Sequence, residues 1–250
     1  MDPTQPHTRT PPSREKLVLV TGVEHPEGAH VARTLGEHGF DVIAHGFTLD
    51  AAEQIAGEIT GNGGRASAAV ADLTLTREVD RLFTAIENTR GGLGAVIHAA
   101  WLPGPESAGA PLQTIHPSDW DRMIQAHLGM LFTTVRRAIR SIGDHSGAGS
   151  IVTVTGVGRS HTETQDSTLV RQVIDGAIEA FTTAAAQDMS TRTVQINALQ
   201  LLPERAEPHV SGEPPAPELD TALLLLADSD NRDRSGTVLS AHAALPVPVH

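Results

Sequence analysis

Apolar positions along this chain come in two alternating rhythms. Short unbroken runs, many rich in β-branched residues, occur at 16–22 (KLVLVTG), 41–46, 66–73, 94–100, 149–156, 193–201 and 236–243. Runs of this length and continuity predict seven strands buried on both faces. Between them the apolar residues fall at helical spacing, at 27–39, 49–64, 76–92, 116–143, 166–189 and 217–228. In the first of these Ala29, Val31, Ala32 and Leu35 share a face and Gly39 is a stop; in the third Val79, Leu82, Phe83 and Ile86 do the same. The long fourth helix is expected to be capped at Ser118 or its neighbours. Strict strand–helix alternation predicts one α/β domain over 16–245, a doubly wound parallel sheet with helices on both faces. Residues 1–15, polar and Pro-rich, read as a flexible tail, 246–250 as a second tail, and 203–217 as a surface loop.

Composition narrows the function. The 250 residues suffice for one sizeable core. No apolar run approaches the roughly 20 residues of a membrane span, and the first residues lack signal-peptide character. A formal net charge of −12 argues against nucleic acid or an anionic membrane as partner. There is no cysteine, which excludes disulfides, thiolate metal ligands and thiol nucleophiles and suits a cytoplasmic protein; no metal site is expected. There is no tyrosine, and one lysine, Lys16.

Five short motifs then appear in order: VTG at 20–22, ADLT at 71–74, SIVTV at 150–154, INAL at 196–199, and LLLADSD with SGTVL between 224 and 239. By their order and spacing the chain resembles the short-chain dehydrogenase/reductase family over residues 16–244. The resemblance implies a Rossmann-type fold, a nicotinamide cofactor, and oligomers built on the two long helices.

Against that pattern the chain departs at the chemistry. The family loop T-G-x-x-x-G-x-G reads Thr21, Gly22, Val23, Glu24, His25, Pro26, Glu27, Gly28. Gly22 and Gly28 remain, but Pro26 replaces the glycine that presents its N–H to phosphate. Glu24 and Glu27 add negative charge there; they also suit a helix N-terminus with no phosphate beside it. The second strand ends His45, Gly46, Phe47, with neither an acid for a ribose hydroxyl nor an arginine for a phosphate. Asp72 matches a family aspartate that contacts adenine and reads equally well as a turn residue. Trp101 stands where the family has glycine after the fourth strand; it is expected to occupy cofactor volume, the alternative being an indole turned outwards on its loop. Of the family's Ser, Tyr, Lys and Asn, the serine position falls on Gly156 beside Thr155, and the asparagine position on His127. An alignment anchored on Gly176 and Ala177 puts Arg171 at the tyrosine and Asp175 at the lysine; counting from Gly156 gives Leu169 and Val173 instead.

The resulting expectation is a non-catalytic member of the family, with no cofactor or weak NAD(P) binding through Gly22, Gly28 and Asp72. It would act as a partner or scaffold subunit, in a homo-oligomer or beside an active homologue, through the two long helices. Two enzymatic readings stay open. One is a cofactor-independent isomerase, dehydratase or cyclase using His127, Asp175, Arg171 and Thr155, with His161 on the preceding loop. The other is an NAD(P)-binding sensor or atypical oxidoreductase. The short Pro-rich segment after the sixth strand weakens the case for a closed lid.

Overall fold

The computed structural model describes residues 17–102, 111–156, 169–189, 193–202, 218–227 and 235–242. Lys16, His161, the 203–217 segment and both tails lie outside them.

The strands are β1 (Leu17–Thr21), β2 (Asp41–Gly46), β3 (Arg65–Val70), β4 (Ala95–His98), β5 (Gly149–Thr155), β6 (Val194–Leu202) and β7 (Val238–His242). They form one sheet of order β3-β2-β1-β4-β5-β6-β7, with every neighbouring pair parallel. The helices are α1 (Pro26–Glu37), α2 (Leu49–Gly61), α3 (Thr76–Arg90), α4 (Pro117–His145), α5 (Leu169–Asp188) and α6 (Leu219–Ala227). α1 packs beside α2 and α6, and α4 beside α3 and α5, so the sheet is covered on both faces. This is the doubly wound arrangement that the alternation predicts, and the Rossmann-type fold that the resemblance implies.

Central strands read as continuous apolar runs because both faces are covered: all of β1, β2, β4 and β5 is buried. Val31, Ala32 and Leu35 of α1 and Phe83 of α3 are completely shielded, each large one contributing about 1.5–3 kcal/mol by leaving water. Gly39, at φ 83°, follows the end of α1; its amide donates to the Gly36 carbonyl and that of Phe40 to Leu35. Only glycine adopts that conformation freely, which is why the helix stops there.

Local chemistry shifts some boundaries. β3 ends at Val70 because Asp72 folds the chain into a turn, its Oδ1 accepting from the Thr74 amide at 2.9 Å. α1 begins at Pro26, which needs no N–H in a first turn. The cap of α4 is His116, whose Nδ1 accepts from the Ser118 amide, with Pro117 next. Arg137 on α4 clamps Glu87 on α3 through two 2.7 Å hydrogen bonds that hold that carboxyl below its ordinary range. No described helix is long and apolar enough to cross a membrane.

Candidate active site

The strand order turns outward in opposite directions from β1 and β4, so a crevice opens between their carboxyl ends. Gly22 leaves β1 at φ 80°, and its amide and that of Val23 both donate to the His45 carbonyl, at 2.9 and 3.1 Å. A Cβ on Gly22 would sit 2.5 Å from the Ala99 carbonyl oxygen, and one on Gly28 would overlap the Gly22 carbonyl. The two retained glycines are therefore demanded by backbone packing. Glu27 is buried in the first turn of α1, while Glu24 is exposed, its Oε2 3.2 Å from where a Gly46 Cβ would stand.

The segment after β4 packs across the carboxyl end of β1 and onto α4. Ala99 N–H donates to Thr21 Oγ1 at 3.2 Å, and the Thr21 hydroxyl shares a 3.3 Å hydrogen bond with His98 Nδ1. His25 Nε2 donates to the Trp101 carbonyl at 2.7 Å. His127 Nδ1–H donates to the Met123 carbonyl at 2.8 Å, and its Nε2 accepts from the Leu102 amide at 3.2 Å. Trp101 is thus pinned from two sides. Its indole is buried, with the His127 ring centroid 4.1 Å away and the Arg171 guanidinium carbon 4.2 Å from its own centroid.

Three histidines under this roof are kept neutral. Burial, outweighing the hydrogen bond to the Ala71 carbonyl, lowers His45 from 6.5 to about 4. Burial, then the neighbouring histidines, lowers His98 likewise to about 4. His127 is also lowered, mainly by burial and less by Arg171, while Asp175 opposes the shift.

The far wall is polar. Thr155 Oγ1 donates to Glu179 Oε1 at 3.0 Å; Gln200 Nε2 donates to the same oxygen at 3.0 Å and is itself held by Ser240. Gly156 N–H donates to the buried Asp175 Oδ1 at 3.2 Å. Gly156 has φ 78°, and a Cβ there would overlap the Leu201 carbonyl. The turn that carries a serine in the family pattern has become one that only glycine fits.

Arg171 lies over Trp101, whose other neighbour is His127, while Asp175 and Thr155 meet the end of β5 through the Gly156 amide and Glu179. Leu169 and Val173 are exposed on α5. Gly22 and Gly28 frame the β1–α1 turn, and Asp72 lies apart as a turn residue on the exposed start of the β3–α3 connection. Sequence reasoning passed over Glu179, although it lies four residues after Asp175 and eight after Arg171, on the same helical stripe. It also passed over His25, whose bond to Trp101 joins two loops 76 residues apart. Among the described residues no cluster of three His, Asp or Glu side chains could hold a metal ion.

The sequence model of the short chain dehydrogenase family matches residues 16–203. The chain belongs to that family. It is 26% identical over 195 residues to dehydrogenase/reductase SDR family member 11 of Gallus gallus, covering 77% of this chain and 75% of that one. It is 30% identical over 143 residues to 3beta-hydroxysteroid dehydrogenase 1 of Eggerthella lenta, covering 57% of this chain and 53% of that one. The fold is shared with a gluconate 5-dehydrogenase from Burkholderia cenocepacia solved in complex with NADP and tartrate. There the TM-score is 0.74 at 20% identity, over 92% of this chain and 94% of that one.

These relatives correct the expectation of a non-catalytic partner or scaffold: each is named a dehydrogenase or reductase. The missing tyrosine and lysine remove one proton route, but the Thr155–Glu179 pair, Arg171 and the buried Asp175 stand at the end of β5 and the start of α5. The cofactor-free isomerase reading also falls with this grouping. Its base, His127, spends both ring nitrogens on backbone groups and is held neutral by burial.

Proposed function

We propose that this chain is an oxidoreductase that interconverts an alcohol and a carbonyl compound with a nicotinamide dinucleotide. The observation that carries the reading is the contact of Thr155 Oγ1 with Glu179 Oε1 at the end of β5, in a chain of the dehydrogenase family. It replaces the expectation of no cofactor or only weak NAD(P) binding.

The residues present meet such a cofactor differently at its two ends. Between the starts of α1 and α2 a cleft of about 290 Å³ is open, lined by Glu24, Arg33, Ala51 and Gln54, and Glu24 joins it to Gly46 at the end of β2, where the adenosine ribose would lie. At the nicotinamide end Trp101 fills the crevice, so the 100–102 segment has to give way before both halves bind. Pro26 withdraws one N–H from the phosphate path, which lowers affinity without closing the path.

The dinucleotide would accept or supply the hydride. The chain's own residues handle charge and proton. Arg171 stabilises negative charge growing on the substrate oxygen, and being permanently charged it cannot give that oxygen a proton. Thr155 Oγ1 takes the alcohol proton as its own passes to Glu179, and carbonyl reduction runs the relay backwards. Gln200 and Ser240 hold Glu179 in place. Asp175 holds the end of β5 through the Gly156 amide.

The test is a cofactor-oxidation assay on a panel of ketones and aldehydes, with wild type, Thr155→Val and Glu179→Gln. Turnover lost by ~10²–10⁴-fold in both variants is expected. No turnover by wild type with any carbonyl, or turnover indifferent to both changes, contradicts the reading.

We further propose a homodimer through α4 and α5, and the cytoplasm as its location, resting on a cysteine-free chain. Phe132 is 52% exposed at the edge of an open cleft lined by Val135, Ile139, Phe181 and Met189. Arg136 and Arg140 on α4 and Asp188 on α5 border the same cleft, charges a two-fold copy can satisfy. Light scattering should give a dimer mass that Phe132→Glu halves; a monomeric wild type would overturn this.

A further inference from the structure

We propose that Glu24 selects the dinucleotide, accepting the ribose 2′-hydroxyl of NAD(H) and repelling the 2′-phosphate of NADP(H). The inference rests on the dinucleotide reading above and deepens it.

The end of β2 carries no acid, only His45, Gly46 and Phe47, and His45 is turned inward onto the Ala71 carbonyl. The carboxylate arrives from another element. Glu24 follows Val23, whose amide is fixed on the His45 carbonyl at 3.1 Å, so the β1–α1 turn is tied to the end of β2. From there Glu24 Oε2 reaches within 3.2 Å of the missing Gly46 Cβ, the space a strand-borne acid would enter. A glycine at 46 and a glutamate at 24 are thus complementary, since a side chain on Gly46 would crowd that oxygen.

Charge around the same cleft points the same way. A carboxylate accepts a hydroxyl proton in a charge-assisted bond but repels a phosphate carrying about −1.5 to −2 charges. Of the residues lining the cleft, Arg33 is the one permanent cation. Its Nε already donates to Glu58 Oε2 at 2.7 Å, and Glu58 is held in turn by Gln54 at 3.0 Å, which keeps that carboxyl ionised. The cation that could receive a 2′-phosphate is spoken for, and the unshared charge at the β2 end is negative.

The test is calorimetric titration of the full chain with ADP-ribose and with 2′-phospho-ADP-ribose. Both lack the nicotinamide, so binding does not require Trp101 to move. Wild type should bind ADP-ribose at least about tenfold more tightly, one tenfold step being ~1.4 kcal/mol. Glu24→Gln and Glu24→Ser, at an exposed position, should melt like wild type and lose most of that preference. Equal binding of both probes by wild type, or a preference that survives both substitutions, overturns the role of Glu24 while the dinucleotide reading stands. Silence with both probes overturns the two together.

Discussion

The Arg171 guanidinium carbon lies 4.2 Å from the centre of the Trp101 ring, and the same indole meets His127 at 4.1 Å. A cation over an aromatic face in a desolvated site contributes about 0.5–2 kcal/mol. On the proposed function that contact would compete with a substrate oxygen for Arg171, and ligand affinity would be reduced by whatever displacing Trp101 costs.

Replacing Trp101 by leucine should relieve the competition. NADH should bind at least about tenfold more tightly to Trp101→Leu, a change of ~1.4 kcal/mol, read by calorimetry. Truncating a buried indole also costs stability, a few kcal/mol at most for this milder exchange, so a melting curve belongs beside the titration. Unchanged or weaker affinity in a folded variant would show that the indole is not in the way.

His45 and His98 make stability depend on pH. Each titrates at about 4 when folded against 6.5 otherwise, so between those values the unfolded chain binds more protons. Stability is complete above about pH 6.5 and is lost as pH falls towards 4. From pH 8 to pH 5 the pair should remove about 4 kcal/mol, measured by urea unfolding at the two values. A flat profile over that window would mean these histidines are not buried as neutral groups.

Restoring serine at position 156 should fail to restore the family's chemistry. Gly156 is left-handed at φ 78° and pressed against the Leu201 carbonyl. Gly156→Ser should lose at least about 1–2 kcal/mol of stability without gaining turnover. A stable, more active variant would contradict the assignment of Thr155 as the hydroxyl of this site.

The sheet was legible in the sequence because its strands are buried on both faces and its helices carry one apolar stripe. The pattern for 41–46 and the strand β2 coincide, as do Val79, Leu82, Phe83 and Ile86 with the buried side of α3. The cleft was half legible. The spacing of Arg171 and Asp175 shows that they share a helical face, but a missing tyrosine does not reveal what stands in its place. Glu179 reads as one more surface acid until α5 is laid against the end of β5. Glu24 reads as a residue hostile to phosphate, and only its approach to Gly46 shows what it could serve. These relations join loops distant in sequence, where no local periodicity reports them.

On the proposed function a dinucleotide enters beside β1 and displaces Trp101. The chain has two tryptophans, Trp101 and Trp120, so Trp120→Phe leaves Trp101 as sole reporter. We would titrate that variant with NADH and NADPH, following tryptophan emission excited away from the cofactor's own band, with calorimetry in parallel. NADH should give a saturable emission change as Trp101 leaves His127 and Arg171, and NADPH should bind more weakly. Calorimetric silence with both dinucleotides up to millimolar concentration, or binding that leaves Trp101 emission unchanged, would contradict it.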